Sequence, residues 1–226
     1  MKLPISARLL ACCNYVNQGD RVADIGCDHG YLGIHLLTSG TARFVIASDV
    51  NEQPLQSALH NAVKYGVKDR MAFYLSDGVS RIPRDFDCLV CAGMGADTIV
   101  SILEAAPWLR CGSYRLVLQC QSRRAYLRQY LSGQGWHIRR ETLAQDGKFI
   151  YPVMEAVWEP GHILTAAQCH ISPALRQSGS SLLPAYYERV LDGLRATVAG
   201  LSHSAEHEKL TEYRRILEEL ESLSIT

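Results

Sequence analysis

Between residues 21 and 132, short β-rich runs alternate with helical stretches, and this alternation constrains the fold of the 226-residue chain more than any other feature. Apolar and β-branched runs predict strands over 21–25, 44–48, 71–75, 87–92 and 115–120. Helical spacing predicts helices over 31–38, 54–65, 97–105 and 123–132, after an N-terminal helix over 5–16. Strands that alternate with helices build a parallel sheet covered on both faces. Two further runs, 137–143 and 149–158, flank a turn at 145–148 and predict an antiparallel edge. The expected fold class is α/β, with a Rossmann-like, mostly parallel sheet and an antiparallel edge strand.

Composition shifts near Glu159-Pro160-Gly161. Beyond Ser181, Leu183, Tyr187, Val190, Leu194, Val198 and Leu201 step by three and four, and Leu210, Tyr213, Leu217 and Leu220 do the same. Two such helices joined by a short loop read as a coiled-coil-like hairpin, or alternatively as a helical cap on the sheet. The expected division is residues 1–160 for the sheet domain and 161–226 for the hairpin.

Hydrophobic residues make up 47% of the chain, enough for a packed core. With 23 basic and 23 acidic residues there is no bulk charge to coat nucleic acid, so any nucleic-acid contact must be a local patch. No apolar run approaches the roughly 18 residues of a membrane span, and the N-terminus lacks a signal-peptide pattern. A cytoplasmic protein with eight reduced cysteines is expected.

Residues 23–32 read Ala-Asp-Ile-Gly-Cys-Asp-His-Gly-Tyr-Leu. A strand ends at Ile25, Gly26 and Gly30 frame a turn, and a helix begins. Glycine allows the tight turn and close backbone approach to a ligand. A dinucleotide fingerprint has a middle glycine, but Asp28 stands there and would repel a pyrophosphate. A cationic, phosphate-free cofactor fits. S-adenosyl-L-methionine (SAM) carries sulfonium and ammonium charges, and its adenosine still needs a Rossmann-type pocket. Asp24 or Asp28 would hold the ammonium, directly or through water. The plainer alternative is a strand–turn–helix junction capped by Asp28.

Two further strand ends carry matching residues. Asp49 closes the second strand, where an acid accepts from ribose hydroxyls. Ser76-Asp77-Gly78 follows the third, with Asp77 placed to accept from the adenine amine. The expected SAM-binding set is Asp24, Gly26, Cys27, Asp28, His29, Gly30, Asp49, Val50, Ser76, Asp77, Gly78, Ala92, Gly93 and Met94.

The fourth strand ends in Ala92-Gly93-Met94-Gly95. The Asn/Asp-Pro-Pro-Phe/Tyr motif that holds an exocyclic amine in amino-methylating enzymes is absent, which disfavours exocyclic nitrogen as the methyl acceptor. Arg8-Leu9, the run 22–32, the run 47–52 with Pro54-Leu55, Asp77-Gly78, the run 92–95, the run 116–119, Leu127-Arg128, Gly135-Trp136 and Glu141 together resemble the bacterial tRNA (adenine-22-N1)-methyltransferases. The resemblance covers about residues 5–158. It implies a class I SAM-dependent methyltransferase sheet with a C-terminal helical hairpin, and methylation of adenine N1 in the D-arm of tRNA. Three positions depart from the pattern: Gly33 replaces a proline, Ala96 a glycine, and Cys120-Gln121 a Pro-Asn pair. The first two are expected at the site wall.

Adenine N1 is itself nucleophilic, so positioning is the expected main source of rate. Asp28 is the candidate catalytic residue, stabilising charge on the ring or accepting a proton from its amine. Between Ala105 and Arg140 there is no acid but there are seven arginines, interleaved with aromatics. Expected RNA-contacting residues are Arg8, Gly95, Arg123, Arg124 and Arg128. The hairpin has 6 basic and 8 acidic residues, so it is no continuous electrostatic clamp. It would touch tRNA through a few residues, gauge its shape, or dimerise. Cys88 and Cys91 face opposite sides of a strand, and no metal site is expected. Glu155 and Glu159 are expected to face solvent. The expected partner is tRNA and the expected state a monomer. Competing readings keep SAM with another RNA or a small molecule as substrate, or a SAM- or tRNA-binding protein without turnover.

Overall fold

The computed structural model describes residues 3–223. Helix α1 (Ala7–Cys13) leads into strand β1 (Asp20–Ile25), followed by α2 (Tyr31–Thr38), β2 (Ala42–Asp49), α3 (Glu52–Lys64), β3 (Met71–Leu75), β4 (Cys88–Met94), α4 (Ala96–Glu104), β5 (Arg115–Cys120) and α5 (Arg124–Gly133). Then come β6 (Trp136–Asp146) and β7 (Phe149–Trp158), two short helices α6 (Ala166–His170) and α7 (Pro173–Arg176), and the hairpin arms α8 (Leu183–Leu201) and α9 (His207–Glu221). Pro54 does not delay α3, because it falls in the first turn, where no intrahelical N–H is needed.

One seven-stranded sheet has the order β3-β2-β1-β4-β5-β7-β6. Strands β1 to β5 pair in parallel, while β7 runs antiparallel to both β5 and β6. The reversed strand is therefore not the edge itself: it is inserted between β5 and β6. Burial explains the choice. Strand β7 is buried along nearly all its length, whereas β6 exposes Arg139, Arg140 and Gln145. Charged outer positions and a register shift between Ile138 and Arg140 make β6 a protected edge.

Two clusters of buried residues pack the two faces of the sheet. One includes Ile25, Leu89, Leu116, Leu127 and Trp136, and the other Val22, Ile34, Val45, Leu55 and Val90. A third joins the hairpin base to the sheet edge, with Leu143 and Ile150 against Ile171, Leu175, Tyr186, Leu194, Ile216 and Leu220. Helices α8 and α9 are thus docked at their base, while Val198, Leu201 and Leu210, toward the tip, are only half-buried. Tyr187 donates to the carbonyl of Leu220, and Arg195 pairs with Glu221 at 2.8 Å, joining the arms. Among the described residues, no helix is long and apolar enough to cross a membrane.

Candidate functional site

The parallel strands deliver their C-terminal ends to one rim, where open α/β sheets bind ligands. The first loop turns through three left-handed positions: Gly26 (φ 69°), Asp28 (φ 50°) and Gly30 (φ 71°). Side chains at the two glycines would be strained by the left-handed backbone, and at Gly30 would also press on the packed Ala58. A Cβ on Gly26 would stand 2.4 Å from Met94 Cε, and one on Gly30 would stand 2.9 Å from Ala58 Cβ. Aspartate tolerates the left-handed region better than most residues. Gly30, not Asp28, occupies the N-cap of α2, and Asp28 exposes 70% of its side chain, 3.6 Å from His29. Asp49 ties two loops together, accepting from Asp28 N at 3.2 Å and from Asn51 N at 2.9 Å. Gly26 and Cys27 donate to the carbonyl of Ser48, and Asn61 accepts none of this load but donates to His29 O at 3.0 Å.

Asp24 is buried beneath this loop. Burial pushes its carboxyl up to about 7, the backbone N–H of Gly33 in the first turn of α2 lowers it, and Asp49 raises it. Its Oδ2 has no partner. Ser48 Oγ and Gln119 Nε2, at the ends of β2 and β5, are also buried and unpartnered. Orphaned buried polar atoms are costly, so a concentration of them at one rim fits a site completed by a ligand. An unpaired acid with no cation of the chain bonded to it suits an ammonium group.

The remaining rim residues differ in exposure. Val50 is 64% exposed beside Asp49. Ser76 is buried and fixes its own turn, donating to Gly78 O at 3.0 Å and accepting from Arg81 N at 3.1 Å, while Asp77 is exposed. At the end of β4, Ala92 and Met94 are half-buried, as is Gly95 just beyond it, and Gly93 is left-handed (φ 82°). Gln119 Oε1 accepts from both Gly93 N and Arg8 Nη1 at 3.0 Å, which fixes the amide and leaves Nε2 free. Arg8 also pairs with Asp146 at 3.3 Å. Gln119 falls in the run 116–119 that carries the family resemblance but is not among the expected site residues, since a glutamine inside an apolar strand carries no periodic signal.

Several expectations need correction. Arg128 is fully buried, ion-paired with Glu141 and donating to the carbonyls of Cys169 and His170, so it cannot reach RNA. Glu155 is buried between Arg115 and Arg140 rather than facing solvent. Glu159 does face solvent as expected, where Arg139 engages it at 2.9 Å. Arg123 pairs with Asp97. The acid-free stretch is therefore largely neutralised by acids from elsewhere in the chain. Gly33 and Ala96 are buried, and Gly33 reaches the candidate site only through the backbone N–H that bonds Asp24. A Cβ on Gly33 would meet Val45 Cγ1 at 2.8 Å, and Ala96 is buried in the core. All eight cysteines are free. His137, Glu159 and His162 bring three ligand-type atoms together, but the imidazoles stack at 3.6 Å and Glu159 is held by Arg139.

A methyltransferase-domain family model matches residues 5–154. The Bacillus subtilis tRNA (adenine(22)-N(1))-methyltransferase is 30% identical over 156 residues, which is 69% of this chain and just under two thirds (66%) of that relative's length. The crystal structure of a Bacillus subtilis tRNA methyltransferase described as forming 1-methyladenine at position 22 superposes with a TM-score of 0.85 at 26% identity, covering 97% of this chain and 98% of that one. A Streptococcus pneumoniae protein solved in complex with SAM superposes at 0.83 and 27% identity, covering 96% and 99%.

Proposed function

The chain belongs to the methyltransferase-domain family, among relatives of the bacterial tRNA (adenine-22-N1)-methyltransferases, and from that premise we propose that it methylates N1 of an adenine in the D-arm of tRNA, at position 22, with SAM as methyl donor. The observation that carries this reading is Asp24: a buried carboxylate with one oxygen unpartnered at the rim, where the donor's ammonium would complete it. SAM supplies, when bound, a methyl group on a positively charged sulfur. Asp49 has lone pairs left for ribose hydroxyls, and exposed Asp77 accepts from the adenine amine. Gly26 supplies a left-handed turn that brings the backbone toward the donor, a conformation a side chain there would strain. Gly30, Cys27, His29, Val50, Ser76 and Gly78 complete the wall.

The nucleophile is the lone pair of the target N1, so no covalent partner from the protein is required. The chain's work is to hold an unstacked adenine in line with the methyl group and to exclude water. The product ring is cationic. Asp28 is the carboxylate offered to that charge, or to a proton leaving the amine. The turn at Ala92-Gly93-Met94-Gly95 stands where amino-methylating enzymes carry Pro-Pro, and offers backbone groups to the target base. Incubation with methyl-labelled SAM and unmodified tRNA, followed by nucleoside separation, tests the reading. Labelled 1-methyladenosine, lost when adenine 22 is changed to guanine, supports it. SAM binding with no label in tRNA would overturn the substrate, and no SAM binding would overturn the site.

A further inference from the structure

A groove of about 690 Å³ lies between α5, the tip of the β6–β7 hairpin, and the facing sides of α8 and α9. One end adjoins the rim. Gln121 N donates to Met94 O at 2.8 Å, Ser122 Oγ stands 3.1 Å from where a Gly95 Cβ would be, and Arg123 and Arg124 follow directly. Among its lining cations, Arg128 is consumed by Glu141, Lys209 by Glu206 and Arg123 by Asp97. Arg124 and Arg189 have no carboxylate partner among the described residues. Arg124 Nε is also buried without any hydrogen-bond partner. Glu212 is the one acid on the wall.

The aromatic content is equally directed. Phe149 is 51% exposed at the hairpin tip, although nothing in the core requires it there. Lys148 Nζ lies 5.3 Å from its ring centroid, Tyr151 is 6.0 Å away, and Arg124 sits over the Tyr151 ring at 5.8 Å. Arg189 Nη1 donates to Lys148 O at 3.0 Å, which holds the cation beside the exposed ring. An exposed aromatic among unpaired cations is the arrangement that stacks an unpaired base and holds its flanking phosphates.

We propose that this groove takes a single-stranded segment of the tRNA, with one base stacked on Phe149 and adjacent phosphates held by Arg124 and Arg189. The inference deepens the tRNA reading and rests on it. It makes the β6–β7 tip, not the hairpin helices alone, the element that registers RNA against the methyl-transfer site. The test is filter binding of unmodified tRNA to the full chain at several salt concentrations, beside SAM affinity and thermal stability as controls. Phe149→Ala is expected to weaken tRNA binding about tenfold and Phe149→Trp to retain it. Arg124→Ala with Arg189→Ala is expected to flatten the salt dependence by about two phosphate contacts. Variants that bind tRNA within about twofold of the parent, at every salt concentration, would overturn the groove while leaving methylation intact. A parent chain that forms no 1-methyladenosine, but whose RNA affinity falls in these variants, would overturn the reaction and keep the groove.

Discussion

Arg128 on α5 and Glu141 on β6 form an ion pair from which solvent is completely excluded. Its spare hydrogen-bonding capacity is filled from the chain that leads to the hairpin: Arg128 donates to Cys169 O at 3.0 Å and His170 O at 3.1 Å, and Ser172 Oγ donates to Glu141. Removing one partner leaves the other charge buried and alone. Arg128→Ala is expected to cost about 3–5 kcal/mol in chemical denaturation, with Arg128→Met plus Glu141→Leu recovering most of it. An Arg128→Ala variant of unchanged stability but weakened RNA binding would refute the structural assignment.

If Asp24 holds the ammonium of SAM as proposed, SAM binding is expected to depend on pH. Its folded-state carboxyl sits near 7, above the ordinary value of about 4. Between those limits the folded protein holds a proton that the unfolded chain does not, so its contribution to stability is full at low pH and is lost as pH rises through about 7. A bound cation favours the ionised form, so SAM binding releases a proton and strengthens as pH climbs from about 6 to about 8. Calorimetry in buffers of different ionisation enthalpy measures that proton. Asp24→Asn is expected to abolish the proton release, flatten the stability slope and weaken SAM by about tenfold or more.

Gly26 is held by geometry on two counts. Its φ of 69° is a left-handed conformation, and a methyl group there meets the flexible end of Met94, which must move aside. Gly26→Ala is expected to weaken SAM by at least about tenfold, and adding Met94→Ala to recover only the steric share. Equal SAM affinity in Gly26→Ala and the parent would show that the loop does not approach the donor.

Arg8 acts through Gln119, which it shares with the backbone of Gly93. The expected outcome of Arg8→Ala is a larger fall in kcat than in SAM affinity, because Gln119 keeps its bond to Gly93 and the first glycine loop is untouched, while the strand end proposed to meet the target base loses part of its brace. Single-turnover kinetics separate the two. A change in SAM affinity alone would place Arg8 in the donor site.

Much of the architecture is legible in the amino-acid order. The runs at 71–75, 115–120 and 149–158 are strands at those bounds, because bulky apolar residues cluster there between clear breakers. The three acids Asp24, Asp49 and Asp77 could be placed at strand ends because parallel α/β units put every loop of interest on one rim. What escaped was set by distance along the chain. Glu141 lies just past the acid-free stretch, and Asp20, Asp97 and Glu155 reach it across the fold, so a charge count local to the sequence reads arginines that are paired in the fold as a basic face. Helices α6 and α7, five and four residues long, are too short to show a period. The insertion of β7 between β5 and β6 is a choice of partner that alternation alone does not specify.

The sealed Arg128–Glu141 contact has a mechanical consequence. By fastening α6 and α7 to α5 and β6, it ties the segment that leads into the helical hairpin to the sheet domain beside the candidate rim. On the proposed reading, an RNA that spans the hairpin base and the rim must fit its own elbow to the spacing these bonds set. Discrimination between folded and misfolded tRNA would then be exacted as RNA bending energy, before a single base edge is read.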